Sequence, residues 1–96
     1  MPAKPITIGD HYFPRKGDAA AYFREMLYKY DLGDKVGAAD AAFLSAAILL
    51  HPEADTKIGA GVASFSVRSA DFGTRCFWVN RVDDTSEKFS FDACIY

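Results

Sequence analysis

The spacing of hydrophobic and polar positions changes period midway along this chain. From Asp18 to about Tyr30, the apolar positions Ala19, Tyr22, Phe23, Met26, Leu27 and Tyr30 recur at i, i+3, i+4 and i+7. That spacing lays them on one buried face of a helix. Arg24, Glu25 and Lys29 fall on the solvent side, Asp18 stands where an N-cap is expected, and Leu32-Gly33-Asp34-Lys35 reads as the exit turn. A second helix is predicted from Ala38 to about Leu50. It is Ala-rich and nearly all apolar, so it should be the more buried of the two. It should end at His51, because the residue before a proline is pushed out of the helical region. Ahead of both helices, Ile6-Thr7-Ile8 and His11-Tyr12-Phe13 flank Gly9-Asp10 and predict a short strand or hairpin, which Pro14 breaks.

From Gly61 onward the period is two. Ala63, Phe65 and Val67 alternate with Ser64, Ser66 and Arg68; Arg75, Phe77, Val79 and Arg81 alternate with Cys76, Trp78 and Asn80; Phe89, Phe91, Ala93 and Ile95 alternate with Ser90, Asp92 and Cys94. Turns are expected at Asp71-Phe72-Gly73 and at Asp83-Asp84-Thr85-Ser86. Three strands joined by short turns predict an antiparallel meander. Helices followed by strands predict an α+β fold: a short N-terminal strand or hairpin, two helices, then the meander, with the helices on one face. The odd-numbered sheet positions should meet Phe23, Leu27, Phe43 and Leu44 in one core. The even-numbered face should be polar, around Trp78.

Composition narrows the function. Ninety-six residues, half of them hydrophobic, predict one domain over residues 1–96 with one modest core. Eleven basic and thirteen acidic residues leave a net charge of −2. Binding of nucleic acid through bulk charge is therefore not expected, although local patches can exist. The N-terminus lacks the apolar core of a signal peptide, and the longest apolar run, Ala41 to Leu50, is too short to span a bilayer. Together with only two cysteines, this predicts a cytoplasmic protein with no membrane partner.

The candidate chemistry is sparse. In His51-Pro52 through Lys57-Ile58-Gly59-Ala60-Gly61, one reading is an anion site built from backbone N–H groups and Lys57. The other is a corner in which the glycines permit a sharp turn or a positive φ. The stretch lacks the P-loop pattern and precedes a strand rather than a helix. Arg75 and Arg81 bracket the apolar positions Phe77 and Val79. They either snorkel outward at the sheet's ends or join Lys57 in a basic pocket. Trp78 is a candidate to stack a base, or else to be covered. With the second hairpin centred near Thr85, Cys76 and Cys94 would face each other on neighbouring strands as reduced thiols. Two cysteines and two histidines without a close pair do not make a zinc site, and no cofactor is implied. No G-x-S-x-G, H-E-x-x-H or paired-carboxylate motif is present. A Cys–His hydrolase stays open only if the fold unites a thiol with His51.

Several blocks in order resemble a known family: His51-Pro52, Lys57-Ile58-Gly59-x-Gly61-Val62, Arg75-Cys76-Phe77, Arg81-x-Asp83, and Phe89-Ser90-Phe91-x-x-Cys94-Ile95. Together they resemble the DCL (defective chloroplasts and leaves) domain, a family also catalogued as one of unknown function in bacteria. Gly17-Asp18-Ala19 and Tyr22-Phe23 extend the likeness more loosely into the first helix. The resemblance implies one DCL-like domain in an RNA setting, such as ribosomal RNA processing or a plant-specific RNA polymerase. It implies no catalytic residue. On that basis the expected role is a non-catalytic module whose partner is RNA or a ribonucleoprotein. The expected binding residues are His51, Lys57, Gly59, Gly61, Arg75 and Arg81, with Trp78 for stacking. The rival is a module that binds another protein or a small ligand through the even sheet face. Two departures stand out: Asp92-Ala93 replaces a basic stretch before the last cysteine, and the second hairpin turns on Asp83-Asp84 where the family favours Asp-Gly.

Overall fold

Helix α1 (Lys16–Lys29) buries Ala19, Phe23, Met26 and Leu27 of the stripe that the helical spacing predicts, and Ala20 besides, while Tyr22 and Tyr30 are only partly buried. The structure, a computed structural model, describes residues 5–70 and 73–95; Asp71 and Phe72 of the predicted first meander turn lie outside the described residues. The helix starts ahead of its predicted cap. Extended Arg15 holds the N-cap position, and Asp18 sits within the first turn, where its charge suits the positive end of the helix dipole. Helix α2 (Ala38–Ile48) buries Phe43, Leu44, Ala47 and Ile48. It stops short of Leu50. Leu49 and Leu50 are 67% and 46% exposed, in a turn where the Leu50 and His51 N–H groups donate to the carbonyls of Ala47 and Ile48.

A third helix, α3 (Ala54–Ile58), was not expected. None of its residues is fully buried, so no apolar stripe marks it in the sequence. The turn at Pro52 launches it: the Glu53 N–H donates to His51 Nδ1 at 2.9 Å, and the Ala54 N–H donates to the His51 carbonyl.

The N-terminal segment forms a hairpin, β1 (Ile6–Ile8) with β2 (His11–Phe13), in which Ile6 faces Phe13. The main sheet is β3 (Val62–Ser69), β4 (Arg75–Arg81) and β5 (Ser86–Phe89), antiparallel in that order. Phe65, Val67, Phe77, Val79 and Phe89 are each at most 2% exposed and share one core with Phe23, Leu27, Phe43 and Leu44. Phe77 packs between Phe23 and Phe89, with ring centroids 6.2 and 6.1 Å away. A register shift between Val62 and Ser64 changes the start of β3. Val62, not Ala63, packs toward the core there, and Ala63 is exposed. Residues 33–36 run along the outer edge of β3. The Gly33 and Val36 N–H groups donate to the carbonyls of Val67 and Phe65, and the Val67 N–H donates to the Asp34 carbonyl. The fold is α+β.

The last strand is shorter than the alternation suggests. It ends at Phe89, and Phe91–Ile95 forms helix α4. Phe91, Cys94 and Ile95 also satisfy i, i+3, i+4, and over so short an apolar run the two periods cannot be told apart. Packing decides. Phe91 stacks on Phe23 at 5.1 Å, and Cys94 and Ile95 are buried in the core. The hairpin register also differs from the one expected: Phe77 faces Phe89 and Asn80 faces Ser86. Cys76 therefore faces Arg68 on β3, while Cys94 sits on α4, and the two thiols are not cross-strand neighbours. Among the described residues no helix is long and apolar enough to cross a membrane.

Candidate functional site

The segment closing α3 is a corner built around one arginine. Gly59 has φ 54° and ψ −122°, the values of the first central residue of a type II′ turn, and the Gly61 N–H closes the turn onto the Ile58 carbonyl at 3.0 Å. The Arg81 side chain fills the space that a Cβ on Gly59 would need. From there Arg81 Nε donates to the Lys57 carbonyl at 3.1 Å and Nη2 to the Thr56 carbonyl at 3.2 Å. The guanidinium thus caps the C-terminal end of α3, where the helix leaves carbonyls without partners. Nη2 also donates to Glu87 Oε2 at 2.6 Å, and Lys57 Nζ donates to Glu87 Oε1 at 3.0 Å. Hydrogen bonds from Lys57 and then Arg81 hold the Glu87 carboxyl below the usual glutamate range. Lys57 and Arg81 meet, as expected, but on a carboxylate of the same chain.

Arg75 does not join them. It lies at the far end of β4, where Nη1 donates to the carbonyls of Leu27 and Tyr30 at the end of α1 and the guanidinium lies 5.0 Å from the Tyr28 ring. The expected convergence of Lys57, Arg75 and Arg81 is therefore corrected. Both arginines sit on the helix-facing side of β4, and each caps a different helix.

His51 and Cys76 line one cavity of about 520 Å³, with Lys57, Lys88 and Phe89. The Cys76 thiol donates to the Phe89 carbonyl at 3.2 Å, and burial pushes its pKa up against the pull of Lys88. His51 Nδ1 is occupied by the Glu53 N–H. A thiol held protonated on a carbonyl lacks the thiolate character a nucleophile needs. Cys94 is buried and pushed up to about 11 by burial. Among the described residues, no group of three His, Cys, Asp or Glu is placed to hold a metal ion.

The even-numbered sheet face carries the second concentration of polar groups. Arg68 stretches diagonally across it, its guanidinium carbon 5.3 Å from the Trp78 ring centroid. Arg68 Nε donates to Ser66 Oγ at 3.1 Å and Nη2 to Asn80 Oδ1 at 2.6 Å. Asn80 Nδ2 in turn donates to the hydroxyls of Ser64 and Ser66. This network explains how Ser66, a polar residue, can be 1% exposed on a sheet face that contributes nothing to the hydrophobic core. Beside it lies a polar cleft of about 290 Å³, bounded by Arg68, Asn80, Ser86 and the exposed Lys35. Lys88 faces Trp78 from β5. Trp78 is half-buried, and its Nε1 is enclosed without a hydrogen-bond partner among the described residues. The strand alternation placed Arg68, Trp78 and Asn80 on one face. It did not single out Arg68 or Lys35, because diagonal contacts depend on register.

The model of a family described as "Protein of unknown function (DUF3223)" matches residues 24–95. The Arabidopsis thaliana protein named DNA-directed RNA polymerase IV subunit 1 is 32% identical over 73 residues, covering 75% of this chain and 5% of that protein. Protein EMBRYO DEFECTIVE 514, also from Arabidopsis thaliana, is 44% identical over 46 residues, covering 47% of this chain and 23% of that protein. The chain thus spans only a small part of the length of these curated relatives. The solution NMR structure of an uncharacterized protein from Rhodospirillum rubrum is 50% identical, with a TM-score of 0.90 over 97% of this chain and 89% of that one.

Proposed function

We propose a function from the premise that the chain belongs to the DUF3223 family of proteins of unknown function: it is a non-catalytic, DCL-like module of one domain that associates with single-stranded RNA in the cytoplasm. The observation that carries this reading is the Arg68 guanidinium over Trp78 on a polar sheet face outside the core. A planar cation on an aromatic ring is a surface on which an unpaired base can stack. Lys35, Arg68 and Lys88 supply positive charge for the backbone phosphates, and the serine hydroxyls and Asn80 supply hydrogen-bonding groups. The likeness to a subunit of an RNA polymerase supports a nucleic-acid setting. The non-catalytic part is supported by the Cys76 thiol, which is tied to a carbonyl instead of being activated beside His51.

The binding residues differ from those the sequence suggested. Arg75 and Arg81 cap helices on the core-facing side of β4, so the phosphate contacts proposed on the opposite face are Lys35, Arg68 and Lys88. The test is titration of a labelled single-stranded RNA into the protein at several salt concentrations. Three contacts on a single strand predict an affinity loss of roughly twentyfold between about 50 and 200 mM salt. Arg68→Ala should flatten that slope by about one contact. Trp78→Ala should leave the slope unchanged and weaken binding by about 1–3 kcal/mol. No binding at about 50 mM salt, or binding without salt dependence, turns the reading toward a protein partner.

A further inference from the structure

We propose that the cavity at the open edge of β4 is a binding site for a small organic anion with an apolar or aromatic body. The cavity exists because the edge strand β5 is shorter than the central strand β4 beside it. β4 runs to Arg75, but β5 stops at Phe89, opposite Phe77, so no strand of β5 covers β4 at Cys76. Ala70, Cys76 and Phe89 supply apolar walls, and His51, Lys57 and Lys88 stand around them. At about 520 Å³ the volume falls within the range of small-ligand pockets.

The polar groups of this cavity favour an anion. Lys57 and Arg81 share the single carboxylate of Glu87, which leaves one net positive charge in that trio. Lys57 Nζ is largely enclosed, its side chain 15% exposed. Lys88 is a further basic residue of the lining. His51 accepts a backbone N–H at Nδ1, so the neutral ring carries its proton on Nε2 and offers a donor there. Among the described residues, none lining the cavity is an aspartate or glutamate. Cations and donors beside apolar walls match a ligand with a carboxylate, sulfonate or phosphate on a hydrophobic body. The site shares Lys88 with the RNA reading, but neither Arg68 nor Trp78, the pair that carries that reading, lines it.

The experiment uses anilinonaphthalene sulfonate, an aromatic body with one anionic head, titrated into the isotope-labelled full chain and followed by backbone amide shifts. Saturable binding with a Kd below about 1 mM is expected, with shifts centred on His51, Cys76, Lys88 and Phe89. The uncharged counterpart, phenylnaphthylamine, should bind at least about tenfold more weakly, because it cannot use the cations. Cys76→Leu, which occupies the cavity, should weaken the sulfonate by at least about tenfold while the core amides keep their shifts. Should that variant fail to fold, the comparison of the two compounds on the native chain still decides. Shifts centred elsewhere, equal affinity for the uncharged compound, or no saturation by about 1 mM overturns the proposal.

Discussion

A Cβ on Gly59 would lie 2.8 Å from Arg81 Nε, closer than side chains pack. Two residues from separate elements thus interlock: the bare glycine admits the guanidinium, and the guanidinium caps the helix that the glycine ends. Gly59→Ala should therefore carry two costs, a strained positive φ and a clash, of about 2–4 kcal/mol together. Gly61 has φ 124°, but a Cβ there would meet only Val82 at an ordinary 3.7 Å. Gly61→Ala should cost only the strain, about 1–2 kcal/mol. Urea unfolding of the two variants checks this; equal losses would contradict the Arg81 contact.

Asp84 is the described non-glycine residue with positive φ, at 70°, in the turn between β4 and β5. It holds the position where the resembling family favours glycine. Asp84→Gly should relieve the left-handed strain and stabilise the protein by about 0.5–1 kcal/mol. The unfolding midpoint should rise with an unchanged urea dependence. A lower midpoint would mean that the Asp84 side chain contributes more than the strain costs.

Glu87 should govern part of the acid sensitivity. Its folded pKa is depressed by hydrogen bonds from Lys57 and Arg81. A depressed carboxyl stabilises the fold above its unfolded value, about 4.3, and the contribution is lost as pH falls through the folded value. Glu87→Gln should lower stability at neutral pH and flatten its decline below about pH 4.3. Unfolding curves from neutral to acid pH check this. A decline as steep in the variant as in the native chain would remove Glu87 from the account.

Cys94 should be chemically silent in the folded state. Burial raises its thiol to about 11, so thiolate is scarce at pH values where iodoacetamide is used. Alkylation at mildly alkaline pH should mark Cys94 only after denaturation, as read by peptide mass. Rapid labelling of Cys94 in native protein would show that α4 opens readily. The same raised pKa makes the thiol's contribution complete below the unfolded cysteine value, about 8.5, and lost progressively above it.

Face and period were legible in the chain; register and partners were not. Most of the α1 stripe and most of the odd-numbered sheet core follow from spacing alone, because burial repeats every 3.6 or every two residues; α2 is nearly all apolar, so spacing did not pick Phe43, Leu44, Ala47 and Ile48 out from their neighbours. α3 escaped notice because it carries no buried residue, and Phe91–Ile95 read equally well as strand or helix until Phe91 found Phe23. In the candidate site, alternation put Arg68 and Trp78 on one face but could not say that they touch.

The sequence by itself determined the α+β order and most of the buried stripes; at Gly59–Gly61 it left a corner and an anion site both open, and the structure gives the corner. Tertiary structure alone decided where the charges go. A hairpin register that slips by four residues (Phe77 faces Phe89 where Ala93 was expected) leaves every side chain on its original face, so the alternation is blind to whether Cys76 meets Cys94. Arg75 and Arg81 share a face and a strand, yet they stand six residues apart, about 20 Å along an extended chain. Which carbonyls and carboxylates wait at each end depends on the helices packed there: α1 at one end, α3 and Glu87 at the other. A positive side chain in a sequence is a charge looking for a partner, and only the packed chain supplies one.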